Sequence, residues 1–170
     1  MKESAKLRQV IVNRLQVLIG IASLVFGTFV YLFYRPPDQT YFIYISGLNI
    51  SSYNTLPNIF GLVGNSLPSF IHVFSFILIT AGFLFCQKRD CLIVCSSWFL
   101  VDCAFEIGQY FKPWSSEIFP NWFEGVLLLE NSRGYFVRGT FDFFDLIAIA
   151  LGTVTAYCVL LAVSERRVVR

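Results

Sequence analysis

Seven side chains in or beside long apolar runs have types and spacings that could do chemistry: His72, Asp102, Glu106, Gln109, Arg138, Asp142 and Asp145. A histidine near carboxylates can move protons. Clustered carboxylates can share protons or hold a cation, and an arginine can grip a phosphate. Asp102, Glu106 and Gln109 fall at i, i+4 and i+7, one face of a helix. Arg138, Asp142 and Asp145 open the run RGTFDFFDLIAIALG, and no charge follows from Leu146 to Val163. Such a run is long enough to cross a bilayer, for which ~20 apolar residues suffice. The two aspartates therefore belong at, or just below, one membrane surface. For Asp142 the local reading is a helix start, with Thr140 as cap and the carboxylate favouring the positive end of the dipole. Asp145 lies a turn deeper, where a cap needs no second acid. A carboxylate at the bilayer centre costs ~2.5 kcal/mol or more and is by default functional.

Composition supplies the setting for these residues. The 170 residues are 56% hydrophobic and only 14% charged, against about 25% charged in soluble domains. The fold class expected is an all-α membrane protein, a single integral membrane domain over residues 1–170. A formal charge of +2 is too small to imply nucleic acid. The basic N-terminus leads into a long apolar run without a small-residue cleavage pattern, which reads as a retained anchor.

Four transmembrane helices are expected, at about 11–34, 67–87, 91–111 and 141–163. Two long loops separate them on one side. The first, 39–66, holds an alternating, strand-like piece at 41–45. The second, 114–139, is expected to hold a short interfacial helix beginning near Pro120. Lys88, Arg89 and Asp90 read as a tight turn between the second and third spans. Nine of the thirteen Lys and Arg residues fall on the side of the termini, which puts both termini in the cytoplasm and both long loops outside. At 1.5 Å per residue, His72, Glu106 and Asp145 each lie about 6–7 Å below the outer ends of their spans, so all three can meet at one level. Asp102 lies deeper, near mid-membrane. Asp142, Asp145, Ala148, Gly152 and Ala156 form a stripe on the last span, acidic above and small below. Small residues let helices approach closely in lipid, and the simplest packing turns this stripe toward the acidic face of the third span.

In that arrangement four acids face one arginine and one histidine. Either the acids share protons or the site holds something positive. No tight ligand spacing points to a metal, and no cofactor is expected. Cys91 and Cys95, a turn apart, could ligate one, but packing is the plainer reading. None of the five cysteines falls in an outer loop, consistent with thiols kept reduced on the cytoplasmic side.

The order PSFIHVFSFILIT, FEIGQYF, RGTFDFFDLIAIALG resembles the VanZ-like proteins, small multi-spanning proteins of the bacterial inner membrane. Their pattern has a histidine early in one span, Glu-x-x-Gln ending the next, then an Arg before the Asp that begins the last span, and a Gly seven residues after that Asp. His72, Glu106, Gln109, Arg138, Asp145 and Gly152 match it, over about residues 67–156. The family commonly has an Asn where this chain has Ile149, and often a Lys where it has Pro68 and Ser69. The family is named for a member linked to resistance to the glycopeptide antibiotic teicoplanin. The resemblance implies a cell-envelope role and supplies no reaction.

Three functions fit these residues. One is binding of a membrane lipid or lipid-linked envelope precursor, with Arg138 on a phosphate. Another is intramembrane acid/base catalysis on such a lipid, by His72 and Glu106. The third is an assembly subunit or proton-coupled carrier, acting as a homo-oligomer or with another membrane protein. No nucleophile motif or phosphate loop accompanies the polar residues.

Overall fold

The computed structural model describes residues 13–34, 61, 63–84, 88–112, 114, 117, 136 and 139–168. They form four long α-helices: α1 (Arg14–Tyr34), α2 (Val63–Leu84), α3 (Lys88–Tyr110) and α4 (Phe143–Val168), with no strand among the described residues. Each is long and apolar enough to cross a membrane, and the chain is an all-α, multi-pass membrane protein. The strand-like piece at 41–45 and the interfacial helix near Pro120 lie outside the described residues, as does Arg138.

Two boundaries differ from the sequence reading. First, α2 begins at Val63 rather than Leu67. Asn65, Ser66 and Pro68 resemble loop punctuation, yet Gly61 makes the turn itself, at φ 52°, and the Gly64 N–H reaches back to its carbonyl at 3.2 Å. Proline at the sixth helical position removes a single intrahelical bond, the one to the Gly64 carbonyl. Second, Lys88, Arg89 and Asp90 are the first turn of α3, not a turn between helices. Asp90 there complements the helix dipole.

Inside a bilayer, water does not drive helices together; close packing and polar contacts must do so. The α1–α2 contact shows how. A Cβ placed on Gly20 would stand 2.7 Å from Ile79 Cγ1 and 2.9 Å from the Ser75 carbonyl oxygen, and one on Gly27 would stand 2.6 Å from Ile71 Cγ2. Gly20 lets α1 lie against the α2 backbone, and Gly27, seven residues on, makes room for the Ile71 side chain. At its start, Asn13 caps α1, its Oδ1 accepting the Gln16 N–H at 3.5 Å. The Asn13 N–H in turn donates to the Gly82 carbonyl of α2 at 2.9 Å.

Helix α2 is the hub, packing on α1, α3 and α4, while α3 and α4 also pack on each other. The shared core joins Val73, Ile77 and Leu78 of α2, Cys91, Val94 and Cys95 of α3, and Ile149, Ala156 and Leu160 of α4. Large apolar side chains such as Leu18, Phe29, Leu100, Phe144 and Val154 are exposed, the outward face that lipid would cover.

A polar cluster across three helices

The buried stripe of α3 changes character along its length. It runs through Cys91 and Cys95 in the core, then Asp102, Glu106 and Gln109, each 6–7% exposed. The i, i+4, i+7 spacing thus places all three polar side chains inward, toward the α2 and α4 faces that a soluble protein would fill with leucine.

Glu106 is held by the start of α4. Its Oε1 accepts the Asp142 backbone N–H at 2.8 Å. Asp142, not Thr140, is the cap of α4: its Oδ1 accepts the Phe144 N–H at 2.9 Å, and its carbonyl accepts the Asp145 N–H at 3.0 Å. The carboxylate of Asp142 therefore serves its own helix, while its backbone serves Glu106. Asp145 is buried, 4% exposed, in the first turn. Three carboxylates gather where the orphaned N–H groups and the positive end of the α4 dipole favour negative charge.

Gln109 packs under the strand of chain that leads into α4. A Cβ on Gly139 would lie 2.5 Å from Gln109 Cδ and 2.6 Å from its Oε1. Phe136 covers Gly108 in the same way and stacks on Phe105 with centroids 5.4 Å apart.

His72 does not share the level of Glu106. Its Nδ1 lies 3.1 Å from Asp102 Oδ2, one turn before Glu106 on α3. The earlier start of α2 is the cause. With Val63 as the first residue, His72 is about 13 Å into α2, and Asp102 is about 12 Å from the end of α3 at Tyr110. The four-residue shift moves the histidine a full turn deeper and exchanges its partner. The contact seen for His72 is with Asp102, a residue of the same predicted polar face as Glu106.

Gly152 also departs from expectation. The added Cβ would meet the Phe70 carbonyl oxygen and Val73 Cγ1, each at 2.6 Å. The small part of the α4 stripe therefore admits the backbone of α2, not the acidic face of α3. The top of the stripe meets the acidic face of α3, where the Asp142 N–H donates to Glu106. Ala148 and Ala156 are buried alongside.

One feature escaped the sequence reading. The Phe76 ring lies between His72 and Trp98, at 4.5 and 4.8 Å from them, and Trp98 Nε1 donates to Thr80 Oγ1 at 3.0 Å. The signal was present as His72, Phe76 and Thr80 at i, i+4 and i+8 on α2. Cys91 and Cys95 are buried in the core as reduced thiols. Among the described residues no three His, Cys, Asp or Glu side chains group closely enough to hold a metal ion.

No family model, no curated protein and no solved structure matches the chain.

Proposed function

We propose that the chain is a VanZ-like cell-envelope protein of the bacterial inner membrane that binds the head group of a lipid or lipid-linked precursor. Both termini lie in the cytoplasm, on the strength of the Lys and Arg distribution. The polar end of the bundle then sits in the outer leaflet. What carries the reading is the inward burial of Asp102, Glu106 and Gln109 on one face of a helix that crosses the membrane. Buried acids are expensive there and persist where they serve a pathway or a ligand. Arg138, four residues ahead of the α4 cap, supplies a cation suited to a phosphate. Mass spectrometry of lipids carried through purification tests the proposal: a defined lipid should accompany the protein. A preparation without one favours the assembly-subunit reading.

A second reading, acid/base catalysis on the same lipid, draws support from His72 and Asp102. A carboxylate that orients an imidazole through Nδ1 leaves the other ring nitrogen to work as a base. Incubation of the purified protein with envelope lipids separates the two: a binding protein returns them unchanged, and an enzyme does not.

A further inference from the structure

His72 is the single histidine of the chain, and its two nitrogens have different surroundings. Nδ1 faces Asp102 Oδ2 at 3.1 Å. Opposite an ionised carboxylate, which only accepts hydrogen bonds, a neutral imidazole donates from Nδ1 and keeps its lone pair on Nε2. Among the described residues no side chain donates to Nε2. The two partners differ sharply in cover: the Asp102 side chain is 8% exposed, whereas that of His72 is 50% exposed. The pair is a buried carboxylate behind an imidazole that opens sideways, in the seam between α2 and α3. Beside it the Phe76 and Trp98 rings form an apolar ledge, and the Trp98 N–H is already taken by Thr80.

Depth restricts what can meet this nitrogen. His72 is about 13 Å into a helix of 22 residues, which with the start of α2 at the membrane surface puts it below the head-group layer. A charged phosphate does not travel there without a large desolvation cost. A carbonyl or ether would set its lone pair against that of Nε2. A neutral hydroxyl satisfies every condition: it donates, it enters the apolar phase, and its chain can lie along the aromatic ledge.

We infer that His72 Nε2 is a hydrogen-bond-accepting subsite, open to the membrane, for a membrane-dissolved alcohol or phenol on an apolar chain. This subsite lies a turn from Glu106 and shares Asp102 with the polar face on which the proposed head-group reading rests. Asp102 acts in it as a positioning residue that fixes the proton on Nδ1.

Nitrogen NMR of the full chain in lipid nanodiscs, labelled at histidine, reads the two ring nitrogens of one residue directly. In the native protein Nδ1 should carry the proton and Nε2 should not. Dodecanol in the nanodisc should shift the Nε2 signal in a saturating manner, and dodecyl methyl ether, which cannot donate, should leave it in place. Asp102→Asn can donate to Nδ1, so it should move the proton to Nε2 and abolish the response. Glu106→Gln, which weakens the head-group site, should keep it. A proton found on Nε2 in the native protein overturns the inference, as do equal responses to alcohol and ether, or a response lost with Glu106→Gln. The alcohol and ether comparison on the native protein stands whether or not Asp102→Asn folds.

Discussion

Glu106 on α3 and Asp142 at the start of α4 are 36 positions apart, and the Glu106 carboxylate accepts the Asp142 backbone N–H at 2.8 Å. The N–H of a capping residue is one that a helix cannot satisfy itself. In a capping box the third helical residue reaches back to it. Here Asp145 occupies that third position, and a glutamate from another helix supplies the acceptor. The bond fixes where α4 begins and how its first turn faces the Glu106 end of α3.

Replacing Glu106 by Ala should therefore cost about 2 kcal/mol, the worth of a hydrogen bond to a charged group. Glu106→Gln keeps an acceptor and should lose less. Thermal unfolding in detergent, followed by circular dichroism, checks the order native, Gln, Ala. Equal unfolding of all three would remove Glu106 from the helix start.

The cap makes a contrast at two nearby positions. Asp142→Ala should destabilise by about 1 kcal/mol, Asp142→Ser should restore most of it, and Thr140→Ala should do nothing. The same unfolding assay decides. A loss at Thr140 in place of Asp142 would show that the helix starts earlier.

Gly152→Ala tests the contact between α2 and α4. A methyl group 2.6 Å from a backbone oxygen forces the helices apart, because a carbonyl cannot rotate away as a side chain can. The expected cost is about 1–3 kcal/mol, as for other overpacked cores. Unchanged stability would mean that the helices are not in contact there.

His72 and Asp102 should respond unequally. His72→Ala leaves a buried carboxylate without its partner, whereas Asp102→Ala leaves an imidazole that is already half-exposed. His72→Ala should be the worse variant, and adding Asp102→Ala to it should recover part of the loss, with a coupling on the order of 1 kcal/mol. Additive losses in this double-mutant cycle would contradict the pairing.

The four spans were legible because each is a long apolar run, and so was the polar face of α3, because helical spacing alone puts Asp102, Glu106 and Gln109 together. Depth was not. Whether α2 starts at Val63 or Leu67 depends on a turn at Gly61 that composition does not announce, and that one turn decides whether His72 meets Glu106 or Asp102. The choice between Thr140 and Asp142 as cap was equally hidden, since both residue types cap well and the tertiary contact with Glu106 selects between them. A bond from a side chain to a distant backbone N–H has no sequence spacing at all. The close approach of α1 to α2 left a trace, Gly20 and Gly27 seven apart, that was overlooked in an apolar run.

Orientation can be read independently. With the native cysteines replaced, a cysteine at position 50 or 130 should be labelled from outside the cell, and one at position 2 or 89 should not. The opposite pattern would place the polar cluster in the cytoplasmic leaflet.

Head-group binding is tested most directly by the mass spectrum of lipids that co-purify with the native protein, with Arg138→Ala and with Arg133→Ala. A defined lipid should accompany the native protein and Arg133→Ala in equal amount, and should be lost from folded Arg138→Ala. If the three preparations carry the same lipids, or none carries a defined one, the cluster binds no head group and holds the helices together instead.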